Sequence, residues 1–127
     1  MEKVLKNIKN DKQTNGLNTE KELTVQRIKE GIPSSSDVEK ACGILRLLSD
    51  PTRMKILLAL MRGEMCVYTL AEVSNNTVSG VSHQLRVLRD NKIVKAKRFG
   101  KNVEYSITDF HVSQLVESAL EYLCAQI

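Results

Sequence analysis

Seven cationic side chains crowd into one stretch of this chain: Arg86, Arg89, Lys92, Lys95, Lys97, Arg98 and Lys101, against the single acid Asp90. The stretch carries a local net charge of +6 while the whole protein carries +4, so the remaining residues sum to −2. Positive charge focused in this way is the footprint of a polyanionic partner. A solvated face is the competing reading of any charge run, so a second signal is needed. His83 and His111, with Cys42, Cys66 and Cys124, are the other groups with nucleophilic or ligating chemistry. Three widely separated cysteines make no disulfide framework and point to a reducing cytoplasm. A Gly-rich phosphate loop, a Cys-x-x-Cys pair and a spaced Ser/His/Asp set are all missing from the sequence, which argues against an enzyme. A module that recruits a protein partner is a further alternative, and the +6 stretch argues against it.

The elements that must hold these groups follow from caps and periodicity. A chain of 127 residues, 42% hydrophobic, suits one small domain with appendages. Six glycines, two prolines and 4% aromatic residues favour a mainly α fold. No run of apolar residues is long enough for a membrane span, and the first residues lack the apolar core of a secretory signal. Residues 1–37 read as an N-terminal extension, flexible or with a short added helix after Thr19-Glu-Lys-Glu22, and Ile32-Pro-Ser-Ser-Ser36 reads as a linker. Residues 38–127 read as the main domain. Ser36-Asp-Val-Glu39 has the form of a capping box and opens a first helix of that domain. Asp50-Pro51 opens the next, which Gly63 closes. Thr69-Leu-Ala-Glu72 opens a short helix, Ser74-Asn-Asn76 is a turn, and Thr77 caps a helix with Val78, Val81, Leu85 and Leu88 on its apolar side. Ile93–Phe99 and Val103–Ile107 flank Gly100-Lys-Asn102 as a β-hairpin with a three-residue loop. Thr108 or Asp109 caps a last helix. A short helix, a turn, a second helix and a hairpin make a winged helix-turn-helix, and the +6 stretch falls on its recognition helix and wing.

Leu48-Ser-Asp-Pro-Thr-Arg53, Val81-Ser-His-Gln-Leu-Arg86 and Gly100-Lys-Asn-Val-Glu-Tyr105 resemble the ArsR/SmtB family of winged-helix repressors over about residues 38–125. The resemblance implies a cytoplasmic homodimer, paired through its first and last helices, on an inverted-repeat operator of double-stranded DNA. An inducer, often a metal ion, would weaken that complex. It also implies DNA contacts from Ser79, Ser82, His83, Gln84 and Arg86 on the recognition helix, with Gln84 able to read adenine. Lys97, Arg98 and Lys101 of the wing would meet phosphates or the minor groove.

Three sensing chemistries follow from the resemblance. An Asp-x-His pair at the start of the last helix falls on Asp109 and His111, whose carboxylate and imidazole suit Zn²⁺ or another divalent transition metal. The family's second ligand pair falls on Tyr122 and Ala125, so Glu121 and Cys124 across the dimer would have to substitute. A thiolate site falls on Glu64-Met-Cys-Val-Tyr-Thr69, where Cys66 is kept and Tyr68 stands in place of the second thiol. Finally, Cys42 and Cys124 could form a redox-responsive pair between first and last helices, if their Cα atoms approach within about 7 Å. A regulator that has lost metal sensing is the remaining alternative.

Overall fold

The computed structural model describes residues 18–125. The chain divides into two compact units, Met1–Ile44 and Leu45–Ile127. In the first, α1 runs over Asn18–Gly31 and α2 begins at Ser35, continuing across the division to Leu48. The cap of α2 is Ser34, whose hydroxyl accepts from the Asp37 amide at 3.2 Å. The Ser36 box is therefore corrected: Ser36 lies inside the helix. The first serine after Pro33 already satisfies an end amide, and starting there adds helical hydrogen bonds.

The second unit carries the rest. Helix α3 (Pro51–Leu60) starts as its sequence dictates: Asp50 Oδ2 accepts from the Arg53 amide at 2.9 Å and Pro51 takes the first helical position. Gly63 follows the helix end at φ +152°, a backbone region that favours glycine. Helix α4 (Val67–Ser74) begins before its expected box, with Cys66 at the cap position and Thr69 inside the first turn. Asn75 ends it in the left-handed conformation, φ 55° and ψ 47°. The Thr77 hydroxyl then accepts from the Gly80 amide at 3.0 Å and starts α5 (Val78–Asp90). Ile93 and Val94 are buried, and the chain crosses into β1 (Val94–Phe99) and back along β2 (Asn102–Ile107).

The two strands are antiparallel, with Phe99 opposite Asn102, so the loop is Gly100-Lys101 and not the three residues expected. Gly100 at φ +59° supplies the positive angle that a two-residue hairpin turn needs at its first position. Tyr105 also bridges to Met65, exchanging amide and carbonyl at 2.9 and 3.3 Å, which ties the hairpin to the strand-like approach of α4. Thr108 does not cap the last helix. Its hydroxyl donates to the Lys92 carbonyl at 2.6 Å, and Asp109 caps α6 (Phe110–Ala125).

The core of this unit gathers Ile56, Leu57 and Leu60 of α3, Leu70 of α4, and Val81, Leu85 and Leu88 of α5, closed by Ile93, Val94 and Val116. Burying one such aliphatic side chain stabilises the fold by about 1.5–3 kcal/mol. Helix α6 contributes little to it: among the described residues of its 16, Val116 is buried while Leu115, Leu120 and Leu123 stay exposed. No helix among the described residues is long and apolar enough to cross a membrane.

Candidate nucleic-acid interface

Helix α5 sets the site. Val81, Leu85 and Leu88 point into the core, so the 3.6-residue period turns Ser79, Ser82, His83 and Arg86 outward, and all four are exposed. Gly80 sits between them, and a Cβ there would lie 3.1 Å from the capping hydroxyl of Thr77. The glycine thus protects the cap as well as leaving the backbone open to a close partner.

Gln84 has another occupation. It is half-buried on the flank of α5 that faces α3, and its carboxamide oxygen accepts from Arg53 Nε at 2.7 Å. Because arginine only donates, that atom must be the oxygen. A second nitrogen of Arg53 donates to the Leu47 carbonyl at 3.3 Å, so one guanidinium ties the end of α2 to the recognition helix. The expected reading of adenine would draw on the same carboxamide, whose oxygen is already engaged in a charge-assisted bond. Arg53 lies in a motif visible in the sequence, but nothing there signals a partner 31 residues away.

The pleat divides the wing. Val94, Ala96 and Arg98 share one face with Val103, Tyr105 and Ile107, while Lys95, Lys97 and Phe99 share the other with Asn102, Glu104 and Ser106. Lys97 and Arg98 therefore leave the ribbon on opposite sides. The Lys97 ammonium lies 5.1 Å from the Phe99 ring centre, a cation–π contact, and faces Glu104 across the strands. Lys101 is exposed at the tip. On the inner face, a cleft of about 420 Å³ lies between α5 and the hairpin, lined by Ser82, Leu85, Arg86, Arg89, Asp90 and Tyr105. Arg89 belongs to the charged stretch and Tyr105 ends the third motif, but neither is among the expected DNA contacts, although Ser82, Arg86 and Arg89 stand 4 and 3 apart, one helical stripe.

The candidate ligands on α6 are spread along the helix. Asp109 and His111 are exposed, and Asp109 Oδ1 accepts from both the His111 amide and, at 2.7 Å, lies against His111 Nδ1. The His111 amide, and then its ring, hold the Asp109 carboxyl below the usual carboxylate range. This pair offers one carboxylate and one imidazole nitrogen, half of a tetrahedral zinc set. Glu121 and Cys124 are exposed on the same helix but about 15 and 20 Å further along its axis. Among the described residues no three of His, Cys, Asp and Glu come together to hold a metal. Cys66 is half-buried with its sulfur 3.4 Å from the Thr69 hydroxyl, and that hydroxyl, then the Thr69 amide, lowers its pKa below the ordinary thiol value. Cys42 is exposed in the other unit.

Comparisons with known proteins bear on this geometry. The profile described as bacterial regulatory protein, arsR family, matches residues 50–96, from the cap of α3 into the wing. A transcriptional repressor SmtB homolog from Synechocystis is 36% identical over 99 residues, covering 78% of this chain and 75% of that one. A cadmium resistance transcriptional regulatory protein CadC homolog from Staphylococcus aureus is 38% identical over 96 residues, covering 75% and 78%. The crystal structure of the AntR antimony-specific transcriptional repressor superposes with a TM-score of 0.68 at 32% identity, covering 73% of this chain and 85% of that one. An outward polar helix face beside a cationic hairpin thus stands in a chain similar to named transcriptional repressors, and the chain belongs to the ArsR/SmtB family of winged helix-turn-helix, DNA-binding transcriptional regulators.

Proposed function

We propose that this protein is a homodimeric repressor that sits on an inverted-repeat operator and leaves it when a metal ion binds between the two copies of α6. Residues 38–127 act as the DNA-binding and dimerisation domain, with residues 1–37 as an extension. Ser79, Ser82 and His83 enter the major groove, while Arg86 beside them and Lys97, Arg98 and Lys101 on either side of the wing meet the backbone. Gln84 holds the recognition helix in place through Arg53.

The observation that carries the reading is the layout of α6. Its apolar residues Leu115, Leu120 and Leu123 are uncovered, a face that a second copy can bury. Its ligating groups sit at opposite ends, Asp109 and His111 at the start and Glu121 and Cys124 near the end. One chain therefore supplies half a site, and an antiparallel second copy brings the other half alongside. A divalent transition metal there would supply positive charge and a cross-link between the helices, and zinc suits the mixed oxygen, nitrogen and sulfur donors. The names of the CadC and AntR relatives, a cadmium resistance regulator and an antimony-specific repressor, support the metal class. Coupling between inducer and DNA in such regulators is typically about 1–3 kcal/mol, or roughly 5–150-fold in operator affinity.

The test is operator release followed by fluorescence anisotropy against Zn²⁺, Cd²⁺ and As(III). His111→Ala should bind operator as the parent does and stay bound when zinc is added. Full release of the variant by zinc would contradict the α6 site.

A further inference from the structure

The cleft between α5 and the hairpin has a chemical character of its own. Among the described residues, the Ser82 hydroxyl, the Arg86 and Arg89 guanidinium groups and the Tyr105 hydroxyl make no side-chain hydrogen bond or ion pair within the protein. Asp90 is the one acid on the lining, and no ion pair joins it to either arginine. Buried Leu85 closes the floor with apolar surface. Side chains that carry hydroxyl and guanidinium donors thus line about 420 Å³ of open space, and none of those donors is spent on a partner within the protein. A set of planar guanidinium forks and hydroxyls, with a net local charge of +1, matches an anion with several acceptor oxygens.

The walls are firmly held. Tyr105 pairs through its backbone with both Ala96 and Met65, and α5 is anchored by Val81, Leu85 and Leu88. Ser82 and Arg86 belong both to the cleft and to the outward face of α5, so whatever fills the cleft is continuous with what lies against that face. We propose that the cleft is a phosphodiester clamp: Arg86 and Arg89 grip one backbone phosphate of the duplex, and the Tyr105 hydroxyl donates to the same phosphate. The clamp rests on the DNA-binding reading above and deepens it. It makes Arg89 and Tyr105 positioning residues, because one shared phosphate fixes the angle between recognition helix and wing without reading any base.

The test uses the full chain with operator and scrambled duplexes, across a range of KCl concentrations. Tyr105→Phe removes only the hydroxyl and keeps ring packing and strand pairing, and Arg89→Gln alters an exposed side chain, so both variants keep the fold. Arg89→Gln should weaken both duplexes by about tenfold and lower the slope of log affinity against log salt by about 0.9. Tyr105→Phe should weaken both duplexes equally, by about three- to tenfold, with the slope unchanged. Parental affinity in both variants would overturn the clamp, and so would a loss confined to the operator, which would mark base reading. Calorimetry with inorganic phosphate alone forms the second arm: tight binding that Arg89→Gln abolishes would reassign the cleft to a free anion. A parent protein that binds neither duplex would instead overturn the DNA reading itself, a distinct result.

Discussion

Replacing Gln84 by leucine separates two roles that the recognition helix could give it. The carboxamide oxygen accepts from Arg53 Nε at 2.7 Å, and both residues are half-buried. Leucine fills the space but accepts nothing, so the guanidinium is left with an unpaired N–H against protein. A hydrogen bond to a charged group is worth about 1.5–3 kcal/mol, and partial exposure places this one at the low end, about 1.5 kcal/mol. For a unit of fewer than 100 residues, about 4–8 °C in Tm accompanies each kcal/mol, so a fall of about 6–12 °C is expected. Gln84→Glu keeps an acceptor on the same atom and should stay within about 2 °C of the parent. The assay is thermal unfolding by circular dichroism, with operator anisotropy run in parallel. Loss of stability in the leucine variant and rescue by glutamate would mark Gln84 as a tie between α3 and α5. An unchanged Tm with a changed preference at one base pair would refute that reasoning and restore Gln84 as a base reader.

Two further outcomes test other links. Leu85→Ala empties a core position that is 1% exposed and should destabilise by about 2–5 kcal/mol, whereas His83→Ala two positions earlier on the outer face should change stability by less than about 0.5 kcal/mol; chemical denaturation checks both. Thr69→Val removes the hydroxyl that chiefly lowers the Cys66 pKa, so the pH midpoint of its alkylation should rise toward the ordinary thiol value, as mass spectrometry of labelling rates can follow.

The cap residues show what the sequence makes legible and what it hides. Asp50 and Thr77 cap as expected because each immediately precedes a periodic apolar run, and proline reinforces the first. The Ser36 and Thr69 boxes misplace their helix starts because the Ser/Thr-x-x-Glu pattern states which groups can pair, not which amides are free. Ser34 and Cys66 occupy those cap positions instead. The hairpin is plain from its change of period, but its loop length depends on the sign of φ at Gly100, which a count of turn-forming residues does not contain. The outward stripe of Ser79, Ser82, His83 and Arg86 follows from helical spacing alone. Treating residues 86–101 as one charged block overlooks the pleat, which sends neighbouring Lys97 and Arg98 to opposite faces. What the fold brings together at long range, Arg53 bonded to Gln84 and Tyr105 lining one cleft with Arg86 and Arg89, leaves no local trace.

The central claim is that the outer face of α5 and the hairpin beside it press together on a duplex. Amide chemical-shift mapping during titration with operator DNA tests it most directly. Shifts should concentrate at Ser79–Arg89 and at the wing tip around Lys97–Lys101, with α1 unaffected. A duplex that leaves those amides still, and moves the exposed faces of α1 or α6 instead, would contradict the account.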